Sequence, residues 1–167
     1  VKLYELKNAR VKGTYAGVKF SKETKQAIED YMREAQIPNM LDKEKLHTTL
    51  LYSRVHCPKY KPESSVSYKG TPGEFDVWDN ETGGKKTKCL VLKIDCPDLV
   101  KRHNQLMKDH NATYDYEEYR PHITLSYDIG NADPKSFPDI RKYVSTIEAV
   151  SEYGEDLDLE WSANKKS

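Results

Sequence analysis

Two stretches of the chain share one pattern: His47-Thr48-Thr49-Leu50-Leu51-Tyr52-Ser53 and His122-Ile123-Thr124-Leu125-Ser126-Tyr127-Asp128. Both read His-x-Thr-Leu-x-Tyr. Alternate side chains of a β-strand share a face, so His47, Thr49 and Leu51 are expected on one side, with Thr48, Leu50 and Tyr52 on the other. In the second copy His122, Thr124 and Ser126 would face together, with Ile123, Leu125 and Tyr127 as an apolar backing. A histidine and a hydroxyl opposite a core-forming stripe, present twice, describe a site with two similar halves. Imidazole exchanges protons near neutral pH, and a threonine hydroxyl can donate to an anionic oxygen. The pairing points to acid–base cleavage of a phosphodiester. A single His-x-Thr would be read as ordinary half-buried strand residues. The duplication, with matching Leu and Tyr, makes His47, Thr49, His122 and Thr124 catalytic candidates.

The elements that must position these strands repeat as well. Residues 13–20 read as a strand, Ser21 as a helix N-cap, and residues 22–36 as a helix with Ala27, Ile28, Tyr31, Met32 and Ala35 on one face. Pro38 stops that helix, and the first motif strand is expected at about 46–54. Residues 74–79 and 87–95 read as strands joined by a Gly83-Gly84 turn. Pro97 suits the first turn of a second helix, with a stripe of Leu99, Val100, His103, Leu106, Met107 and His110. The second motif strand is expected at about 120–128. Each motif therefore follows a strand and a helix, and Ser21 and Cys96 stand equally far before their histidines. This reads as a duplicated β-α-β unit in one α+β domain spanning 1–167. Lobe one is 13–54 and lobe two 87–128, joined by a connecting segment at 55–86, of which the stretch from Cys57 to Pro72, with Pro58, Pro62 and Pro72, reads as a long exposed connection. A short helix is expected at 134–145, and C-terminal strands at 146–162, interrupted near Gly154.

Composition narrows the partners. Lys and Arg total 27 and Asp and Glu total 27, so the net charge is zero. A surface for long nucleic acid would show a basic excess, whereas a small nucleotide needs only local cations. No membrane span or signal peptide is visible. The three cysteines, Cys57, Cys89 and Cys96, lack paired spacing, which suits reduced thiols in a cytosol. No metal-ligand spacing is visible, and neither metal nor cofactor is assigned. Twelve tyrosines against three phenylalanines favour surfaces with one apolar and one wet side.

The paired His-x-Thr motifs, one in each half of a small α+β chain, resemble the two-histidine (2H) phosphoesterase superfamily. The resemblance implies a bilobal fold, its two β-α-β lobes related by a pseudo-twofold axis around a central cleft. Tyr15, the H-T-T-L and P-H-I-T-L-S-Y contexts, Trp78 and the Glu- and Trp-bearing tail look like the phage anti-CBASS cyclic-nucleotide phosphodiesterases. That implies cyclic di- and trinucleotides as partners, in the host bacterial cytosol; separately, the chain is expected to act as a monomer. One histidine would take the proton of a ribose 2′-hydroxyl as it attacks phosphorus. The other would protonate the departing 5′-oxygen, leaving a 2′,3′-cyclic phosphate that water then opens. Which histidine plays which role is open at this level. Thr49 and Thr124 would hold the non-bridging oxygens. Rival readings are a 2H enzyme for 2′,3′-cyclic phosphates or 2′–5′ oligonucleotides, and a sponge that binds without cutting.

Other residues carry two readings each. Lys45 and Arg120 precede the histidines by two positions and would be phosphate-binding cations if the strands extend that far, or else solvated strand-end charges. Tyr15 and Trp78 would stack on bases, or pack in the core. Glu155 and Trp161, with Glu160, would complete a base pocket, or belong to an exposed tail. Tyr52 and Tyr127 are expected to pack within the lobes. His103 and His110 are expected at a core edge, and the Tyr114–Tyr119 run as a solvated loop whose tyrosines could line the cleft.

Overall fold

A computed structural model describes residues 12–159. The element order is β1 (Lys12–Phe20), α1 (Lys22–Glu34), a single 3-10 turn (Lys43–Lys45), β2 (His47–Ser53), β3 (Tyr68–Thr82), β4 (Lys85–Asp95), α2 (Pro97–Asp109), β5 (His122–Ser126), two more 3-10 turns (Pro134–Ser136 and Ile140–Lys142) and β6 (Ile147–Asp158). All six strands join one antiparallel sheet in the order β2-β1-β6-β3-β4-β5.

The helices form where the sequence signals them. The Ser21 hydroxyl accepts the Thr24 amide at 3.1 Å and caps α1. Ile28, Tyr31 and Met32 are fully buried beneath that helix. Gln36 takes a left-handed φ of 55° just past its end, and Pro38 follows. In α2, Pro97 fills the first turn, and Leu99, His103 and Leu106 face the core.

Sheet order sets the site. The two motif strands occupy opposite ends of the strand order, yet the ends meet. The Thr48 hydroxyl donates to the His122 carbonyl at 2.9 Å. The chain entering β2 also lies along β5: the Leu41 amide donates to the Leu125 carbonyl at 2.9 Å, and Asn39 donates to the Asp128 carbonyl at 2.8 Å.

Three expectations are corrected. The exposed connection expected from Cys57 to Pro72 is not a loop throughout, because β3 begins at Tyr68 and runs to Thr82. It pairs first with β6 through Tyr68, Lys69 and Gly70, then with β4 from Thr71 onward. Pro72 is accommodated because the ladder slips between Pro72 and Phe75. Gly70 stands where any Cβ would collide with the Asp95 carbonyl. The helix expected at 134–145 is two separate 3-10 turns, capped by Asp133 and Asp139. The C-terminal strands are one continuous strand, β6, in the middle of the sheet. Gly154 does not interrupt it: it pairs with Ala16 and leaves room for the Tyr60 ring. The Gly83-Gly84 turn forms as read, with φ of 58° and 79°.

A buried carboxylate ties the connection down. Glu152 accepts from Tyr60 and Tyr68 hydroxyls, the Glu63 amide and both Nε and a terminal nitrogen of Arg102, at 2.6–3.2 Å. Every lone pair has a partner, so the buried charge is compensated.

Candidate active site

His47 and His122 open β2 and β5. Each ring is fixed in the same way. The His47 Nδ1 lies 2.9 Å from the Lys45 carbonyl, and the His122 Nδ1 lies 3.0 Å from the Arg120 carbonyl. A carbonyl only accepts, so Nδ1 carries the proton in both rings, and Nε2 is left for proton exchange. Burial pushes His122 below the ordinary imidazole range; its bond to the Arg120 carbonyl opposes this, and the nearby His47 adds to it.

The pairing registers of the two strands coincide in detail. Lys19 stands opposite His47 and Lys93 opposite His122. Gly17 stands opposite Thr49 and Val91 opposite Thr124, and both ladders then slip by one residue, at Leu50 and at Leu125. This is a β-bulge at the same place twice. It buries two consecutive residues in each strand, Leu50-Leu51 and Leu125-Ser126. The bulge also shifts the alternation, so the next residue returns to the histidine face. Tyr52 and Tyr127 therefore do not pack within the lobes as strict alternation requires; they are 38% and 47% exposed. Tyr52 lies directly across from Tyr15 and meets it edge-on at 6.4 Å.

The Thr49 half has a hydroxyl network. The Tyr15 hydroxyl lies 3.1 Å from the Thr49 hydroxyl and 3.5 Å from that of Tyr153. Gly17 makes this possible, since a Cβ there would strike the Tyr153 ring. Tyr15 is thus neither a plain core residue nor a free platform; its hydroxyl orients Thr49. Burial raises its ionisation well beyond neutral pH, so it acts as a neutral hydroxyl. Glu155 is in register with Tyr15 on β6 and raises the ionisation of both Tyr15 and Tyr153.

Behind β2, the bulge is gripped from the core. Tyr119 donates to the Thr49 carbonyl at 2.6 Å, and His103 Nδ1 donates to the Leu50 carbonyl at 2.8 Å. These two rings stack at 4.1 Å and 10°. The 114–119 run is therefore not simply a solvated loop: Tyr119 is buried, while Tyr116 is 73% exposed. Burial lowers His103, which keeps it a neutral donor.

On the His122 half, the Trp78 ring lies 4.4 Å from the imidazole at 67°, and is 39% exposed. The core reading of Trp78 does not hold. Its Nε1 donates to Asp76 at 2.9 Å, and Asp76 also lies 3.6 Å from Lys93. The indole bond, working against some desolvation and aided by Lys93, holds the Asp76 carboxyl below its usual range.

Lys45 and Arg120 do not lie on the strands. Lys45 belongs to the 3-10 turn, and Arg120 precedes β5 with its guanidinium turned to Glu118 at 3.0 Å. Their backbone carbonyls, which hold the histidines, are what serve the site. Trp161 and Glu160 lie outside the described residues. Among the described residues no cluster of three or more His, Cys, Asp or Glu is arranged to hold a metal ion, and no helix is long and apolar enough to cross a membrane.

Residues 12–164 match the family model for the anti-CBASS protein Acb1. This chain belongs to the Acb1 family. It is 36% identical over 154 residues to the anti-CBASS protein Acb1 of Salmonella phage S16, covering 92% of this chain and 94% of that protein, with the same figures for its counterpart in Enterobacteria phage T4. The counterpart in Yersinia phage phiR1-RT is 37% identical over 155 residues, covering 92% and 94%.

Within this Acb1-family chain, the sequence reading omitted Lys19, Lys93 and Tyr153, placed Tyr52 and Tyr127 on the wrong face, and missed the brace of His103 and Tyr119. The repeated Tyr and the consecutive Leu50-Leu51 were the available signals of a bulge. The lysines had none, because their place depends on pairing with a strand distant in sequence.

Proposed function

We propose that this Acb1-family chain is a phosphodiesterase that cleaves the 3′–5′ bonds of cyclic di- and trinucleotide immune signals, cyclic GMP–AMP among them. Acting as a monomer in the cytosol of an infected bacterium, it would let a phage evade CBASS defence. The observation that carries the reading is the pair of imidazoles, each fixed through Nδ1 to a backbone carbonyl, on strands that touch at Thr48 and His122. Pure binding needs no such matched pair of proton-transfer groups. Family membership supports the signal class. The matching registers and bulges support a 2H phosphoesterase-like fold with two lobes about a pseudo-twofold axis.

In the first step a neutral Nε2 takes the 2′-hydroxyl proton, the 2′-oxygen bonds to phosphorus, and the bond to the 5′-oxygen breaks. The second, protonated imidazole gives that oxygen its proton. Thr49 and Thr124 donate to the non-bridging oxygens as charge gathers there. Water then reverses the roles, opening the 2′,3′-cyclic phosphate to a 3′-phosphate. The depressed ionisation of His122 supports it as first base, with His47 as acid.

The test incubates the protein with a panel of cyclic ribonucleotides, their deoxy counterparts, nucleoside 2′,3′-cyclic phosphates and 2′–5′ oligonucleotides in excess chelator, with products separated by chromatography. Linear products ending in 3′-phosphate, from ribose-containing rings alone, are expected. Opening only of 2′,3′-cyclic phosphates or 2′–5′ oligonucleotides would contradict the proposal, and so would recovery of every ring intact.

A further inference from the structure

A phosphodiester enters this cleft with one negative charge and gains a second as the 2′-oxygen adds to phosphorus. A single protonated imidazole balances one of them, and the threonine hydroxyls and Tyr15 are neutral. The cations expected to balance the other, Lys45 and Arg120, lie off the strands. The strand registers supply a different pair. Lys19 is the direct cross-strand partner of His47, and Lys93 that of His122. Directly opposed residues of an antiparallel pair project from the same face, so each lysine stands beside one histidine.

Resting on the phosphodiesterase reading above, we propose that Lys19 and Lys93 are a matched pair of phosphate-binding cations, one from each half, that engage the non-bridging oxygens of the scissile phosphodiester.

Their present partners are ones that an incoming anion can replace. The Lys19 ammonium sits 5.3 Å above the Tyr153 ring, a cation–π contact that neutralises no charge. That ring lies against Gly17, the cross-strand partner of Thr49, and its hydroxyl is 3.5 Å from that of Tyr15. Lys93 is 3.6 Å from Asp76, with the two side chains 38% and 42% exposed to water, and an ion pair that water reaches is weak. Arg102 shows the contrast: it is bound to the fully buried Glu152 at 2.8 Å and is committed to structure. Asp76 holds the Trp78 indole as well, so it remains hydrogen-bonded when Lys93 turns to substrate.

The experiment compares Lys19→Gln, Lys93→Gln, the double variant, Lys19→Arg and Lys93→Arg with wild type, and with Lys108→Gln on the exposed end of α2 as control. Two readouts are taken at low and high salt: kcat/KM for cyclic GMP–AMP, and the Kd for cyclic di-deoxy-GMP. Each Gln variant should melt normally, lose about tenfold in kcat/KM and a similar factor in deoxynucleotide affinity, and show a flatter salt dependence. Arginine should restore most of the loss, and Lys108→Gln should match wild type. Values within about twofold of wild type for both Gln variants overturn the proposal. A loss at one lysine alone overturns the matched pair. A wild-type protein that binds the deoxynucleotide but leaves cyclic GMP–AMP intact overturns the cleavage reading, while the affinities still judge the lysines. A wild type that neither binds nor cleaves takes both down.

Discussion

The β1-α1-β2 half and the β4-α2-β5 half share their strand registers and differ in their surroundings. In both, a histidine opens the edge strand, its Nδ1 bonds the carbonyl two residues back, a lysine stands across from it, and a bulge follows the threonine. Beyond that the halves part. Thr49 has its hydroxyl beside that of Tyr15 and its carbonyl held by Tyr119, which stacks on His103. No hydroxyl partner of this kind meets Thr124 among the described residues. His122 instead has the Trp78 ring against it, and burial depresses its ionisation. The lesson is that a repeated frame need not repeat its chemistry. The backbone brings two matched imidazoles to one place, and the packing around each differs; in the proposed reaction that difference divides the roles.

The largest effect should come from removing what the halves share. His47→Ala and His122→Ala are each expected to lower turnover by about 10²–10⁴-fold with normal melting and near-normal binding of a deoxy analogue. Either variant retaining a tenth or so of wild-type turnover would deny that histidine a proton-transfer role. Next come the threonines. Thr49→Val and Thr124→Val should each reduce kcat by on the order of 10²-fold, with KM changing less.

Tyr15→Phe separates the halves. It should cost about three- to tenfold in kcat, the worth of one oriented hydroxyl. Added to Thr49→Val it should cost nothing further, whereas added to Thr124→Val its cost should multiply. Equal effects in both backgrounds would mean that Tyr15 does not act through Thr49.

The smallest effect is a shift in pH dependence. A neutral His122 acting as base is lost as pH falls through its ionisation, which burial holds below the ordinary value. The acid limb of kcat should therefore lie below that of an exposed histidine. Trp78→Ala opens the ring to water, raises its ionisation, and should move the limb to higher pH. A limb that does not move would remove Trp78 from the control of His122.

How far the sequence could be read follows from how local each feature is. His47, Thr49, His122 and Thr124 are legible because strand alternation holds from the histidine to the threonine. Tyr52 and Tyr127 are not, since one inserted residue reverses every face beyond it. The capped α1 and the Pro-initiated α2 announce themselves through local residues. The first part of β3 does not: Pro72 argues against a strand, and the ladder slip that tolerates it depends on β4. The lysines opposite the histidines are set by non-local registers. The central place of β6 likewise comes from its pairing with β1 and β3, which its own residues do not encode.

The central claim is that two imidazoles drive attack by the substrate's own 2′-hydroxyl. The most direct measurement is a ³¹P NMR time course of cyclic GMP–AMP with the wild-type protein in excess chelator. A 2′,3′-cyclic phosphate resonance should rise and then give way to a 3′-phosphate, with neither signal forming in His47→Ala or His122→Ala. Direct appearance of a 5′-phosphate product, with no cyclic phosphate at any time, would contradict the account.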